Sequence, residues 1–310
     1  MENDLKIIEK EFRCKFPNYE IDSIEKYNNG FNSKAYHIKL INSPKEFAVK
    51  IFTQDNHSNI QKNIQIVDYI AQKGIPTIKV YPGKSIGNSN VLFMGAASGR
   101  VVSEFFQDVS EKIKSNILVD AGKVLSNIHK LEIPEIWIQN KHAITSVGEW
   151  IDWTHSRVKK YLDFFEGKLT REQLIYLTKQ FLEFRNLSDT NFGLVPLHWD
   201  YHFSNMNATE DGTITAVFDF ENAMKGHNLA DIGQTLYWYV EQTKGISGFN
   251  SFLEGYNASL TQQDKKLIWA YFLLFLLAVM RTNWKKKHLC WLIEENTKFL
   301  NEIITNRITL

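Results

Sequence analysis

The chain has 310 residues, of which 44% are hydrophobic and 23% charged, a composition that is typical of a soluble globular protein and excludes a disordered chain. Its 36 basic and 35 acidic residues leave a net charge of +1, so no overall field favours nucleic acid or a membrane as a partner. The two cysteines, Cys14 and Cys290, lie far apart, which excludes a disulfide framework and a thiolate zinc site and predicts a reducing, cytoplasmic setting.

The first hundred residues combine helix and strand patterns. Residues 1–16 form an amphipathic helical pattern without the unbroken apolar segment of a signal peptide. Asn-Gly and Ser-Pro turns then separate β-prone runs, which predicts hairpins in an antiparallel sheet: IDSIEKY, KAYHIKLI and FAVKIF. A helix is predicted at about 57–73, ending at Gly74, and two more β-prone runs, TIKVY and NVLFM, follow it.

From about residue 100 the pattern becomes mainly helical. Apolar residues recur at helical spacing in 118–128, 146–165 and 171–185, and a β-prone interlude at 194–220 contains an Asp-Gly turn at 211–212. The apolar run at 267–280 is short for a bilayer and closely flanked by charges, so we expect a buried core helix. The sequence therefore predicts an α+β protein with an N-lobe at 1–95 and a larger, mainly helical C-lobe at 96–310.

Three short stretches carry residues suited to phosphoryl transfer. In HWDYHFSNMN, His198, Asp200 and Asn205 have the kinase catalytic-loop spacing H-x-D-x-x-x-x-N. Asp200 is placed to orient a hydroxyl and accept its proton, while the Asn205 amide oxygen and the later Asp219 are hard oxygen ligands suited to Mg²⁺. Lys50 ends the strand pattern FAVK, as does the kinase lysine that contacts the α- and β-phosphates.

The paired histidines allow a second interpretation, a zinc or iron hydrolase site. Its ligands would be His198, Asp200, His202, His227 and Asp231. This interpretation leaves Lys50, Asn205 and Asp219 without a role. His129 and His155 are expected to be surface or capping residues rather than ligands.

The sequence resembles the aminoglycoside phosphotransferase and choline kinase-like enzymes, which are small-molecule kinases with a protein-kinase-like fold. The resemblance covers most of the chain and is densest at 198–233. There LHWDYHFSNMN is similar to the catalytic loop of the family and AVFDFENAMKGHNLADIG to its metal-binding segment. In addition, AGKVLSNIHKL at 121–131 resembles the helix before the substrate region, and NNGFNSKAY at 28–36 stands where the family places its loop over the phosphates.

This resemblance implies a two-lobed protein-kinase-like fold, the use of ATP or GTP with Mg²⁺, and a role for each matching residue. Asp200 is the expected catalytic residue, and Asn205 and Asp219 are the expected metal ligands. The residues expected to bind the nucleotide are Lys50, Gly30, Ser33, Met94 and Ala96. The expected supporting residues are His198, His202, Gln65 and Asp231, the last as a brace of the catalytic loop.

The sequence departs from the family pattern at several of these positions. The nucleotide loop has a single glycine, Gly30, so backbone N–H groups and Ser33 are expected to cover the phosphates. The helix after Lys50 has Gln65 near the position of the acid that usually pairs with this lysine. Trp199 replaces the glycine that is common between the histidine and the aspartate.

The expected reaction is transfer of the γ-phosphoryl group of ATP to a hydroxyl of a small molecule. Only eleven residues separate Asp219 from Asp231, too few for the activation segment of a protein kinase. The expected acceptor is an aminoglycoside-like antibiotic, which would make the chain a resistance kinase acting as a monomer or homodimer. A metabolic kinase for choline, ethanolamine, homoserine or a sugar, and a non-catalytic pseudokinase, remain as alternatives.

The region expected to bind the acceptor, 145–165 and 229–306, contains both acids and aromatic residues. Acids would suit a polycationic acceptor. Aromatic side chains would suit a quaternary ammonium group or a flatter, partly apolar antibiotic. The sequence alone leaves this choice open.

Overall fold

The computed structural model describes residues 2–26, 34–43, 46–53, 57–83, 89–95, 97–137, 144–189, 192–256, 259–285, 290–306 and 310. They pack into two compact units. The sheet unit comprises Met1–Val102 and Asn205–Glu221, and the helical unit comprises Ser103–Ser204 and Asn222–Leu310. Both units combine the predicted element types, so the α+β class is confirmed.

The helices and strands follow one another along the chain in the predicted order of a sheet-rich and then a mainly helical part. In chain order they are α1 Glu2–Lys15, β1 Ile21–Lys26, β2 Lys34–Leu40, β3 Glu46–Thr53, α2 His57–Gln72, β4 Val80–Pro82, β5 Ser89–Gly95, β6 Arg100–Val101, α3 Glu111–His129, α4 Val147–Phe165, α5 Arg171–Phe181, β7 Val195–Leu197, β8 Met206–Ala208, β9 Ile214–Val217, β10 Met224–Gly226, α6 Asn228–Thr243, α7 Phe249–Tyr256, α8 Gln262–Lys285 and α9 Cys290–Asn306.

The sheet unit is built on a five-stranded antiparallel sheet with strand order β1-β2-β3-β5-β4. Helix α1 covers one face, where Ile8 and Phe12 are buried with Phe47, Val49 and other apolar side chains. Because side chains alternate along a strand, β3 presents Lys50 on the face opposite to Phe47 and Val49. The strand pattern FAVKIF thus fixes which way the lysine points.

Residues 205–221 belong to the sheet unit, although about a hundred residues of the helical unit separate them in the sequence from the rest of the sheet unit. Strands β8 and β9 form the predicted hairpin, whose turn contains Gly212 with φ 93°, and β6 pairs with β8 on its other side. The Val217 N–H donates to the Pro76 carbonyl at 2.9 Å. This hydrogen bond ties the end of β9 to the chain that enters β4.

The helical unit is organised around α8, which contacts α4, α5, α6 and α9. By length and composition α8 could cross a membrane, but 67% of its most apolar window is buried within the protein. Leu267, Phe272 and Leu276 are among its fully or almost fully buried side chains. The prediction of a buried core helix at this position is confirmed.

Candidate active site

Lys50 forms an ion pair with Asp219 in the sheet unit. Its Nζ lies 2.5 Å from Asp219 Oδ2, and both side chains are 15% exposed. The two residues are 169 positions apart in the sequence, so the fold brings together two of the side chains that the motif spacing selected. Gln65, which the sequence places near the position of the usual lysine partner, is exposed on α2, and Lys50 donates its hydrogen bond to Asp219.

Asp219 combines a left-handed backbone conformation with a buried carboxylate oxygen. Its φ of 72° lies in the left-handed region, which a non-glycine residue adopts only at a cost of about 1–3 kcal/mol. The second carboxylate oxygen, Oδ1, is buried and has no hydrogen-bond partner among the described residues. Since a buried carboxylate oxygen is costly to leave unsatisfied, it fits a residue that binds a cation.

Asn205 precedes β8 and Asp219 follows β9, at the open end of the same hairpin. The Phe218 N–H donates to the Asn205 carbonyl at 3.0 Å, and the Asn205 residue is 7% exposed. One backbone hydrogen bond therefore joins Asn205 to the residue before Asp219.

Of the residues expected to contact the nucleotide, Lys50 and Met94 lie in the described part of the chain. Met94 lies on β5 opposite Ala48 of β3 and is 7% exposed. Since Ala48 and Lys50 are two positions apart on β3, Met94 belongs to the same face of the sheet as Lys50. Gly30, Ser33 and Ala96 lie outside the described residues.

Asp231 holds the loop that carries Asp200 in the helical unit. The His198 N–H donates to Asp231 Oδ2 and the Trp199 N–H to Oδ1, each at 2.9 Å. Asp231 is fully buried in the first turn of α6. A buried carboxylate that accepts two backbone N–H bonds fixes the path of those two residues.

His129 also contacts Asp231 and is buried, so a surface position for it is wrong. It is 6% exposed rather than a surface residue. Its Nε2 lies 3.1 Å from Asp231 Oδ2, and its Nδ1 lies 2.8 Å from the Tyr256 hydroxyl. Because the Asp231 carboxylate can only accept, the His129 proton is on Nε2, and the Tyr256 hydroxyl donates to Nδ1.

Trp199 adopts a backbone conformation that explains why glycine is common at its position. Its φ is 58°, in the left-handed region. Besides its N–H bond to Asp231, its carbonyl accepts from Gln234 Nε2 at 3.1 Å. Its ring packs edge-on against Trp150 and Trp153, with centroid distances of 6.1 and 5.8 Å.

His202 approaches the carboxylate of Asp200. The Ser204 N–H donates to His202 Nδ1 at 3.3 Å, and His202 Nε2 lies 3.5 Å from Asp200 Oδ1. With Nδ1 as acceptor, the neutral ring carries its proton on Nε2, which faces Asp200. The ring also packs on Trp238 at a centroid distance of 4.9 Å. His202 therefore lies beside Asp200.

The histidine metal site is not supported within the described part of the chain, where no group of three or more His, Cys, Asp or Glu side chains is arranged to hold a metal ion. Both carboxylate oxygens of Asp231 already accept hydrogen bonds from backbone N–H groups of the loop. The Tyr271 hydroxyl lies 3.1 Å from His227 Nδ1. Burial lowers the pKa of His227 to about 3, so this histidine is neutral.

Two comparisons place this geometry among known proteins, and a search of curated protein sequences gives no match. Residues 23–265 match the model of the phosphotransferase enzyme family, APH. The fold is similar to the GDP and kanamycin complex of APH(2")-IIIa, with 15% identity, a TM-score of 0.75 and coverage of 97% of this chain and 99% of that chain.

Two further solved structures are similar over nearly their whole length. ADP-bound aminoglycoside phosphotransferase APH(2'')-Ib has 16% identity and a TM-score of 0.65, with 95% of this chain and 96% of that chain covered. A thermostable mutant of APH(4)-Ia with ADP and hygromycin B has 14% identity and a TM-score of 0.66, with coverage of 96% and 98%. The chain belongs to the phosphotransferase enzyme family, whose members transfer phosphoryl groups, and has the kinase-like fold of the aminoglycoside phosphotransferases.

Proposed function

We propose that the chain transfers the γ-phosphoryl group of ATP or GTP to a hydroxyl of a small-molecule antibiotic. The observation that carries the proposal is the buried pair of Lys50 and Asp219, in which one carboxylate oxygen binds the lysine and the other has no protein partner among the described residues. The solved relatives include complexes with kanamycin and with hygromycin B, which supports an antibiotic acceptor.

Lys50 and its partner act on the nucleotide. The lysine ammonium anchors the α- and β-phosphates, as the pairing lysine of kinase-type sites does. Asp219 and Asn205 would hold Mg²⁺ through their side-chain oxygens. When bound, Mg²⁺ supplies positive charge that neutralises the β- and γ-phosphate oxygens.

Asp200 acts on the acceptor. Its carboxylate orients the hydroxyl and takes its proton as the hydroxyl oxygen bonds to the γ-phosphorus and the bond to the β–γ bridging oxygen breaks. The products are a phosphomonoester and the nucleoside diphosphate, ADP or GDP. Because the protein contributes positioning and electrostatics rather than covalent chemistry, the brace from Asp231 and the contact from His202 are both important to the position of Asp200.

The proposal is tested by a thermal-shift and ATP-consumption screen. The screen covers aminoglycosides, other hydroxylated antibiotics and hydroxylated metabolites such as choline, ethanolamine, homoserine and sugars. We expect an antibiotic to stimulate ADP release. Stimulation by a metabolite alone would assign a metabolic kinase. Nucleotide binding without turnover on any acceptor would assign a binding module.

A further inference from the structure

The ends of three helices meet around the carboxylate of Asp231. His129 is the last residue of α3, and Tyr256 is the last residue of α7. Asn228 and Asp231 both lie in the first turn of α6. His129, Tyr256 and Asp231 are buried, while Asn228 is partly exposed. Because buried polar groups in contact must satisfy one another, the donor at one contact of this cluster determines the donor at the next.

The contacts form a chain of hydrogen bonds that leads from Asn228 to Asp231. Asn228 Nδ2 lies 2.9 Å from the Tyr256 hydroxyl oxygen, and that oxygen lies 2.8 Å from His129 Nδ1. On the other side of the ring, His129 Nε2 lies 3.1 Å from Asp231 Oδ2. A neutral imidazole has one donor and one acceptor nitrogen, and a carboxylate only accepts. The chain therefore has a single direction, in which each group donates to the next and Asp231 is the last acceptor.

Asn228 sets this direction at the Tyr256 hydroxyl. Its amide N–H donates to the hydroxyl oxygen, which leaves the hydroxyl proton for His129 Nδ1. Burial raises the pKa of Tyr256 to about 12; the charge of Asp231 adds to this effect, whereas the hydrogen bond from Asn228 opposes it. Tyr256 therefore keeps its proton at neutral pH and remains a donor.

The direction of the chain is important because Asp231 holds the catalytic loop. Oδ2 of Asp231 accepts from the His198 N–H as well as from His129 Nε2, and Oδ1 accepts from the Trp199 N–H. If the His129 proton moved to Nδ1, the Nε2 lone pair would face the buried carboxylate. Two buried acceptors in contact are unfavourable, so the carboxylate would shift and the two backbone bonds would weaken.

We propose that Asn228 and Tyr256 are positioning residues for Asp200. They keep His129 neutral with its proton on Nε2, and so keep both oxygens of Asp231 available to the loop that carries Asp200. The motif spacing assigns no role to either residue, because Tyr256 lies 28 positions after Asn228 and 127 after His129. The inference rests on the proposed function and adds two residues to the set that positions Asp200.

The Asn228→Asp variant tests the direction of the chain, since it keeps the shape of the side chain and reverses its hydrogen bond. A carboxylate accepts the Tyr256 hydroxyl proton more strongly than a neutral ring does, so Tyr256 can no longer donate to His129. Long-range proton–nitrogen NMR of the histidine rings, at neutral pH and without ligands, measures which nitrogens carry protons, and His129→Gln assigns the signal. We expect a proton on Nε2 alone in wild type, and a proton on Nδ1 in Asn228→Asp.

Turnover with an acceptor from the screen shows whether the state of the ring affects Asp200. We expect Asn228→Asp to lower kcat at least about tenfold and to change nucleotide affinity by less than about twofold. Asn228→Ala removes the donor without reversing it and should lower kcat by about threefold or less. A purely structural role predicts the opposite order, because Asp keeps the shape of Asn and an acid in the first turn of a helix is favourable.

Tyr256→Phe removes the hydroxyl on which the direction depends. Alone it should lower kcat about three- to tenfold. Added to Asn228→Asp, it should remove the proton from His129 Nδ1 and raise kcat to the level of Tyr256→Phe alone, because the carboxylate then has no hydroxyl to turn. Two independent structural contacts would instead give additive losses.

Two control variants change the same chemical groups elsewhere in the helical unit. Tyr176→Phe removes a hydroxyl that accepts from Trp269 Nε1 at 3.2 Å, and Asn116→Asp adds a carboxylate at an exposed position of α3. Both should leave the His129 signal and kcat unchanged. The inference would be overturned by a wild-type His129 with its proton on Nδ1, or by a larger loss of kcat in Asn228→Ala than in Asn228→Asp.

The NMR and turnover results separate this inference from the proposed function. If wild type phosphorylates an acceptor and Asn228→Asp does so at the wild-type rate, the inference fails while the proposed function stands. If the His129 ring responds as expected and no hydroxyl compound is phosphorylated, the proposed function fails while the ordering of His129 by Asn228 and Tyr256 stands.

Discussion

Trp199 shows how a single residue can occupy a position that favours glycine. The left-handed backbone costs a non-glycine residue about 1–2 kcal/mol. Asp231 and Gln234 bind the N–H and carbonyl of Trp199, and the ring packs on Trp150 and Trp153. These contacts offset the free-energy cost of the left-handed backbone. The Trp199 ring also places an aromatic surface next to Asp200.

The backbone cost at this position can be measured with two substitutions. Trp199→Ala and Trp199→Gly both remove the ring, but only glycine relieves the positive φ. We expect the glycine variant to be more stable than the alanine variant by about 1 kcal/mol in urea unfolding.

An exposed helix position provides the control. Ile175 on α5 is 59% exposed, and there the order should reverse, with Gly less stable than Ala by about 0.5–1 kcal/mol. If Trp199→Ala were as stable as Trp199→Gly, the left-handed backbone would not be strained.

The pairing of α3 with α7 depends on two glycines. A Cβ at Gly122 would collide with the Phe252 carbonyl, and one at Gly255 with the Val119 carbonyl. The close approach also positions Tyr256, which bonds His129 and through it Asp231. The packing of α3 against α7 thus supports Asp231, the residue that holds the loop carrying Asp200.

Gly122→Ala should therefore destabilise the protein by about 1–3 kcal/mol, as overpacking does. The matched control is Gly148→Ala in the first turn of α4, where a Cβ would meet only Ser146 Oγ at 3.9 Å. That change should be neutral or stabilise by about 0.4–1 kcal/mol through the unfolded state. Equal effects of the two substitutions on the urea midpoint would contradict the packing argument.

Local sequence patterns predict helices, strands and motif residues better than they predict contacts between residues that are far apart in the sequence. The helix before Gly74 and the hairpin at Gly212 follow from turn chemistry within a few residues, and both are found. The burial of His129 depends on Tyr256 and Asp231, which lie 127 and 102 positions away. The helix after Lys50 offers Gln65 near the usual position of a lysine partner, whereas the fold pairs Lys50 with Asp219, 169 positions away.

At the scale of the whole molecule, buried His227 makes stability depend on pH. Burial lowers its pKa from 6.5 to about 3, so the folded protein keeps it neutral while the unfolded chain protonates it below pH 6.5. The contribution of neutral His227 to the free energy of unfolding is fully present above pH 6.5 and is lost as the pH falls towards 3. The unfolding free energy should fall by about 2 kcal/mol between pH 7.5 and pH 5 from this group alone.

Unfolding of wild type and His227→Gln across this pH range isolates the contribution of the histidine. The variant should be less stable at pH 7.5 and should show a flatter profile towards pH 5. His155→Gln, at an exposed position, should retain the wild-type slope. Parallel profiles for wild type and His227→Gln would exclude His227 as the source of the pH dependence.

The assignment of Asp200 as the residue that activates the acceptor is tested most directly by product formation in the Asp200→Asn variant. Phosphorus NMR follows Mg-ATP with an acceptor from the screen, and calorimetry measures nucleotide affinity. We predict equal amounts of ADP and a new phosphomonoester with wild type. For Asp200→Asn we predict a loss of at least about a hundredfold in rate with nucleotide affinity unchanged. Phosphomonoester formation by Asp200→Asn at a near-normal rate would contradict the account.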